Sequence, residues 1–196
     1  MKTASDSPLI SIIIPHKDDA VFLKNLVNEL AHQTLNDFEI IIIDSSHDEM
    51  KVSKNMFRDD LNFSIKVIHT NNTFPGKARN IGVIEASAEY IAFIDSKSIP
   101  VSNWLQQNYD LLNLSNSKIV LGLFRAHASD LNFFQKILKA SSYGNSQHVS
   151  VPGSMMPKDV FLSSGGFNEE VGAGEDIEWI ERLNILNLKV IIANQI

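Results

Sequence analysis

The sequence contains no cysteine among its 196 residues. This absence excludes disulfide bridges, thiolate zinc sites and cysteine nucleophiles. Basic charge is also scarce: 17 lysines and arginines stand against 23 aspartates and glutamates, which gives a formal net charge of -6. Because the basic residues are scattered, the chain lacks the positive patch that holds a phosphate backbone, and we expect no nucleic-acid partner.

Long apolar runs are absent as well. No stretch reaches the roughly 18 apolar residues of a membrane-spanning helix, and Leu9–Ile14 is too short for a signal segment. We therefore expect a soluble, cytoplasmic chain, with peripheral attachment to the inner face of the membrane left open. The length predicts an N-terminal tail over 1–8 and one domain over 9–196. Because the sequence stops soon after the last expected strand, a domain truncated at its C-terminus stays an alternative.

Short β-branched runs alternate with segments of helical period along the chain. The isoleucine-rich runs are nearly continuous, which is typical of parallel strands buried on both faces. The pattern predicts an α/β fold with a mostly parallel sheet. The expected strands are Leu9–Ile14, Phe38–Ile43, Ser64–His69, Tyr90–Ile94, Ile119–Phe124 and Lys189–Ile192, and the expected helices are Asp19–Gln33, Asp48–Arg58, Lys77–Ala86, Asn103–Asn113 and Leu131–Lys139.

Polar residues directly follow three of these strands. Ligands of open parallel sheets bind beyond the carboxyl ends of the strands, so we expect the three segments to line one functional edge. Taken singly, each is equally explained as a turn or a helix cap, because aspartate and serine favour such positions. The segments are Pro15-His16-Lys17-Asp18, Asp44-Ser45-Ser46-His47-Asp48 and Asp95-Ser96-Lys97.

The order of motifs along the chain is more specific than any single motif. It runs Ile12-Ile-Ile-Pro15, Asp44-Ser-Ser-His-Asp48, Gly76-Lys-Ala-Arg-Asn-Ile-Gly82, Phe93-Ile-Asp95, Gly165-Gly-Phe-Asn-Glu169 and Gly174-Glu-Asp176. In this order the sequence resembles the family 2 glycosyltransferases, from Leu9 to Ala193. The resemblance implies a three-layer α/β/α, Rossmann-like GT-A fold of the nucleotide-diphospho-sugar transferase superfamily.

The resemblance also implies an activity and its partners. A sugar would pass, with inversion, from a nucleoside diphosphate donor, preferably a UDP-sugar, to an acceptor hydroxyl in glycan or polysaccharide biosynthesis. The acceptor would be a glycan or lipid-linked saccharide that the sequence does not identify. Asp176 would be the general base, with Glu175 orienting the acceptor or the base. Without the resemblance, two carboxylates at a helix N-terminus are better explained by the helix dipole than by catalysis, and the resemblance reverses this preference.

The resemblance implies a donor site at the ends of the strands. Asp44 would accept a hydrogen bond from the nucleotide base, and Arg79 would lie near the base or the phosphates. Asp95 would face the ribose and a metal-bridged diphosphate. The remaining expected donor-site residues are Pro15, Lys77, Ser96 and Lys97.

Lys97 departs from the family pattern. Relatives usually carry a metal-binding carboxylate at this position, two residues after Asp95, whereas a lysine cannot ligate Mg2+ or Mn2+ and repels it. Three interpretations stay open. Lys97 itself neutralises the diphosphate, or a cation is held by Asp95 with phosphates and water, or the chain only binds nucleotide sugars. A nucleotidyltransferase is disfavoured because its glycine-rich, basic phosphate loop is absent near the N-terminus.

Overall fold

The computed structural model of the chain describes residues 7–115, 117–124 and 148–193. The expected helix Leu131–Lys139 lies outside these residues. The strands are β1 (Ile10–His16), β2 (Phe38–Asp44), β3 (Ser64–His69), β4 (Tyr90–Phe93), β5 (Ile119–Phe124), β6 (His148–Pro157) and β7 (Val190–Ile192). The α-helices are α1 (Ala20–Leu30), α2 (Pro75–Glu85), α3 (Trp104–Leu114), α4 (Lys158–Ser163) and α5 (Glu175–Ile185).

The strands form one sheet in the order β3-β2-β1-β4-β6-β5-β7. Neighbours among β1 to β4 pair in parallel, as do β5 and β7, and β6 alone runs antiparallel to its neighbours. The prediction of a mostly parallel sheet is confirmed. The chain builds the sheet outward from β1 in one direction, to β2 and β3, and then continues with β4 on the other side of β1. The loops after β1 and β4 therefore leave in opposite directions and open a crevice between them. Open α/β sheets bind ligands at such a switch point.

Helices cover both faces of the sheet. In β1, Ile12 and Ile14 belong to the apolar cluster beneath α1 and α3, while Ile13 belongs to the cluster beneath α2, α4 and α5. All three isoleucines are fully buried. A strand covered on both faces needs apolar residues at consecutive positions, which explains the unbroken isoleucine run.

The predicted helix Asp48–Arg58 is wrong. The segment forms two short 3-10 helices, Asp48–Met50 and Lys54–Met56. The physical reason lies in Asp44, whose carboxylate accepts hydrogen bonds from the backbone N–H groups of Ser46 (3.0 Å) and Val52 (2.8 Å). These bonds fold the segment back over the end of β2 and bury Val52, so its backbone cannot follow one continuous helix.

Within the described residues, no helix is both long and apolar enough to cross a membrane.

Candidate active site

The candidate site lies at the edge of the sheet where the parallel strands end. His16 and Asp44 are register partners at the last positions of β1 and β2, and Pro15 precedes His16 in β1. Asp95 follows β4, the other neighbour of β1. The backbone N–H of Ser98 donates to the carbonyl of Asp95 at 2.9 Å, which closes a tight turn with Ser96 and Lys97 at its centre. The three predicted segments therefore do meet at one edge.

Arg79 is the central charge of the site. Helix α2 begins with Pro75, whose fixed φ suits a first helical turn. One turn later, Nη1 of Arg79 donates to Glu175 Oε1 at 2.7 Å, and Nη2 donates to Asp95 Oδ1 at 2.9 Å. The guanidinium also lies 5.6 Å from the ring centroid of Phe167. Arg79 thus joins two carboxylates that are far apart in the chain.

The two carboxylates bound by Arg79 differ in exposure. The side chain of Glu175 is 7% exposed, like the 5% of Arg79, whereas that of Asp95 is 46% exposed. Glu175 and Arg79 therefore form a buried ion pair, and each needs the other because an uncompensated buried charge is costly. Asp95 keeps an open face toward solvent. A ligand can therefore reach Asp95 but not Glu175. Glu175 contributes indirectly, by holding Arg79, which in turn holds Asp95.

Asp176 follows Glu175 in the first turn of α5, where the residue before the helix, Gly174, has the left-handed φ of 85°. Its Oδ1 accepts a hydrogen bond from the backbone N–H of Ile177 at 2.9 Å, and the side chain is half-buried. Successive helical residues point about 100° apart. Asp176 is therefore directed away from the buried Arg79–Glu175 pair, and within the described ranges its second carboxylate oxygen makes no hydrogen bond.

Asn80 supports the site by binding the backbone of the neighbouring glycine turn, a role that its sequence motif did not predict. Its amide Nδ2 donates to the carbonyl of Phe167 and its Oδ1 accepts from the N–H of Phe167, both at 2.9 Å. The turn before Phe167 uses Gly165 and Gly166, which have φ values of 89° and 68° that side chains rarely adopt. Asn80 therefore fixes the glycine turn to α2, next to Arg79.

Asp44 is placed differently from its expected role. Its side chain is completely buried, and Oδ2 lies 3.1 Å from Nδ1 of His69 in addition to the bonds from Ser46 and Val52. Burial raises the pKa of Asp44, but the hydrogen bonds from Ser46 and Val52 outweigh it and hold the pKa below its ordinary value. The ionised carboxylate orders the loop after β2. It has no exposed surface for a nucleotide base, so this geometry disfavours the direct contact.

His16 belongs to a segment that was expected at this edge, although no individual role was predicted for it, and it lies at the end of β1 beside Asp44. Its side chain is buried, and neither ring nitrogen has a hydrogen-bond partner among the described residues. Burial lowers the pKa of His16, although the nearby carboxylates of Asp44, Asp19 and Asp18 act in the opposite direction. A neutral, unpaired imidazole is therefore part of the site.

The two predicted lysines both contact carboxylates. Nζ of Lys97 lies 3.1 Å from Asp19 Oδ2 at the start of α1, and Lys97 is 66% exposed. Nζ of Lys77 lies 3.8 Å from Glu169 Oε2 beside the glycine turn. Lys97 therefore lies over the crevice between β1 and β4, while Lys77 lies on the side of α2 near Glu169.

The donor set does not fit a divalent metal. Among the residues that the structure describes, no three histidine, aspartate or glutamate side chains are arranged to hold one. In the turn after β4, one oxygen of Asp95 already accepts from Arg79, the hydroxyl of Ser96 is neutral, and Lys97 places an ammonium where a second carboxylate would be needed. Mg2+ and Mn2+ bind through carboxylates together with substrate phosphates, and the nearby ammonium repels them, so the chain's own residues do not form a metal site.

The three-layer α/β/α arrangement, with a switch point at β1 and an acidic residue after β4, is the arrangement expected of the GT-A fold. The sequence profile of Glycosyl transferase family 2 matches residues 11–165, which is most of the chain. The chain belongs to this family, as the order of motifs predicts.

Two curated relatives illustrate the similarity. The chain is 32% identical over 89 residues to the poly(ribitol-phosphate) beta-N-acetylglucosaminyltransferase TarS of Staphylococcus aureus, covering 44% of the chain and 16% of TarS. It is 27% identical over 132 residues to the glycosyltransferase GlyG of Streptococcus pneumoniae, covering 65% of the chain and 43% of GlyG. The matches thus span less than half of either relative.

Solved structures confirm the GT-A fold. Residues 1-349 of S. aureus TarS in complex with UDP-GlcNAc match 96% of the chain and 56% of the TarS chain, with a TM-score of 0.70 and 21% identity. The mannosyltransferase PcManGT of Pyrobaculum calidifontis, in complex with GDP-Man and Mn2+, matches 97% of the chain and 56% of its own, with a TM-score of 0.69 and 15% identity.

Proposed function

We propose that the chain transfers a sugar from a nucleoside diphosphate donor to an acceptor hydroxyl, with inversion at the anomeric carbon. The observation that carries this proposal is the meeting of Asp95, Arg79 and Glu175 at the carboxyl edge of the sheet, with Asp176 next to Glu175 in the first turn of α5. Family membership supports the reaction class. A UDP-sugar is the favoured donor, because a structural neighbour binds UDP-GlcNAc.

Each acidic residue has a separate task in this mechanism. Asp95, fixed by Arg79, turns its open face toward the donor's ribose and diphosphate. Asp176 takes the proton from the acceptor hydroxyl while that oxygen forms a bond to the anomeric carbon. The bond from the anomeric carbon to the diphosphate oxygen breaks on the opposite face, and the nucleoside diphosphate leaves with the electron pair. Glu175 does not touch the substrate and holds Arg79 in place.

The acceptor belongs to glycan or polysaccharide biosynthesis in this proposal. The named activity of the relative TarS, which glycosylates poly(ribitol-phosphate), supports a polymeric or lipid-linked acceptor rather than a small metabolite. We expect this chemistry at the inner face of the membrane or in the cytoplasm, where nucleotide sugars are the donors. No step of this mechanism is routed through a metal, because Lys97 stands where the family places a metal-binding carboxylate.

The variant Asp176→Asn tests the general base. An amide cannot accept the proton, so turnover should fall by roughly 10²–10⁴-fold while nucleotide binding stays unchanged. Turnover is measured as release of nucleoside diphosphate from UDP-sugars with a panel of glycan acceptors, and binding by calorimetry.

The matched control is Glu178→Gln, which removes a carboxylate from the same helix. Glu178 pairs with Arg182 on the surface at 2.6 Å, so its loss should leave turnover unchanged. Equal losses of binding and turnover in Asp176→Asn would contradict the assignment of Asp176 as the base.

A second candidate function is binding of nucleotide sugars without catalysis. Lys97, at the position where the family places a metal-binding carboxylate, is the observation that favours it. Release of nucleoside diphosphate distinguishes the two functions. A chain that binds a nucleotide sugar but releases no nucleoside diphosphate with any acceptor, with or without Mn2+, is a binding module.

A further inference from the structure

We propose that Lys97 neutralises the diphosphate of the donor in this chain in place of a divalent metal, and that Asp19 holds Lys97 when no donor is bound. The inference rests on the proposed function, since it requires a diphosphate at this edge of the sheet. It follows from the poor fit of the site to Mg2+ or Mn2+ and from the position of the lysine ammonium.

Lys97 lies where an open α/β sheet binds its anionic ligands. The turn that begins at Asp95 places Lys97 directly after β4, and Asp19 follows β1, the neighbouring strand at which the sheet order turns back. The contact of 3.1 Å between Lys97 Nζ and Asp19 Oδ2 therefore bridges the mouth of the crevice. A diphosphate in this crevice would lie beside the ammonium.

The hold of Asp19 on Lys97 is weak enough to be exchanged. Lys97 is 66% exposed and Asp19 is 27% exposed, and ion pairs of such exposure contribute little and are screened by salt. The ammonium also lies 5.5 Å from the ring centroid of Phe22 on α1. A lysine is a compact charge on a flexible chain, so Nζ can leave Asp19 for a phosphate oxygen without movement of the backbone.

The other cations of this edge are less suitable. Both terminal nitrogens of Arg79 already donate to Glu175 and Asp95, and Arg79 is 5% exposed. Nζ of Lys17 donates to Asn72 Oδ1 at 3.3 Å, which directs Lys17 toward the loop after β3 and away from β4. Of the cations in the described part of this edge, Lys97 is therefore the exposed one in the same turn as Asp95.

Calorimetric titration of the purified chain tests the inference. UDP, GDP, CDP and dTDP are each titrated with EDTA and with Mn2+, and the corresponding monophosphate of any nucleotide that binds is titrated as well. We expect one nucleoside diphosphate to bind equally well under both conditions. Lys97→Ala should weaken this binding by roughly tenfold to a hundredfold, as expected for a charged hydrogen bond, with a smaller effect on the monophosphate.

Lys97→Asp provides the opposite test. It restores a carboxylate two residues after Asp95, so nucleotide binding should become weak in EDTA and recover in Mn2+. Lys24→Asp is the matched control: it makes the same change in net charge on an exposed position of α1 and should bind nucleotide like the original chain. Asp19→Asn should bind at least as tightly as the original chain, because Lys97 is then free.

The outcomes separate the two proposals. If the original chain binds a nucleotide only with Mn2+, or if Lys97→Ala binds as tightly as the original chain in EDTA, the role of Lys97 is overturned and the proposed function stands. If no nucleotide or nucleotide sugar binds under either condition, the proposed function is overturned together with it.

Discussion

At the scale of single residues, Arg79 is expected to contribute strongly to stability. It is buried with Glu175, and Arg79→Met would leave that carboxylate without its counter-charge. Removing one partner of a buried ion pair costs about 3–5 kcal/mol, so we expect the free energy of unfolding to fall by that amount in urea denaturation.

A surface arginine provides the control for this prediction. Arg58 pairs with Asp60, and both side chains are more than half exposed. Arg58→Met should therefore lower the free energy of unfolding far less than Arg79→Met does, because ion pairs between exposed side chains contribute little. If Arg79→Met is no more destabilising than Arg58→Met, the buried pair is not the electrostatic centre of the site.

The sequence identifies the members of this cluster but not its bonds. Arg79, Asp95 and Glu175 each belong to a motif of the family, and all three do meet. Arg79 was expected beside the base or the phosphates, whereas its two terminal nitrogens bind carboxylates. Such pairing depends on how closely α5 approaches α2, and this distance is not encoded in the local pattern of either helix.

At the scale of secondary-structure elements, the close packing of α2 against β1 positions the site. Gly82 lies three residues after Arg79, and a Cβ atom at Gly82 would lie 2.4 Å from Cγ2 of Ile13. Gly82→Ala should therefore destabilise the fold by about 1–3 kcal/mol through overpacking. This loss outweighs the 0.5–1 kcal/mol or so that alanine gains over glycine within a helix.

Gly172→Ala is the control for the packing of α2. A Cβ atom at Gly172 would come no closer than 3.4 Å to the ring of Phe74, which is ordinary contact. Urea denaturation should show little change for this variant. Equal stability of the Gly82 and Gly172 variants would show that α2 can shift away from β1, and Arg79 would then be less firmly placed than the structure indicates.

The same scale shows why some elements are predictable and others are not. The strand Ser64–His69 is predicted with its observed bounds, and β1 and β2 are predicted but extend further, to His16 and Asp44. Strands β1 and β2 lie inside the sheet, and burial on both faces leaves a strong apolar pattern in them, whereas the edge strand Ser64–His69 is only partly buried and is predicted from its β-branched residues. The segment after β2 differs because its shape depends on the hydrogen bond from Val52 to Asp44, a polar contact that apolar periodicity does not reveal.

At the scale of the whole molecule, the site at the carboxyl edge of the sheet contacts the helices of both faces. Arg79 reaches Asp95 from α2, on the face that contains Ile13, whereas Lys97 extends to Asp19 and Phe22 of α1 on the opposite face. The turn from Asp95 to Lys97 is therefore tied to helix α2 on one face through Arg79 and to the start of α1 on the other face through Lys97, so its position depends on both layers of helices.

The same edge makes the stability of the molecule depend on pH. His16 is buried, and its pKa lies below the ordinary value of 6.5 because burial disfavours the charged ring. The unfolded chain therefore takes up this proton before the folded chain does. As the pH falls through 6.5, the free energy of unfolding should decrease until His16 protonates in the folded state as well.

Urea denaturation at a series of pH values measures this dependence in His16→Leu and in a control, His32→Leu. Leucine removes the titrating ring, so the loss of stability just below pH 6.5 should become smaller in His16→Leu and persist in the variant of the exposed His32. The pKa of Asp44 lies below its ordinary value of 3.8, so the free energy of unfolding should decrease a second time as the pH falls through 3.8. Both variants keep Asp44 and should show this second decrease. Identical pH profiles for the two variants would show that His16 is not the source of the first loss.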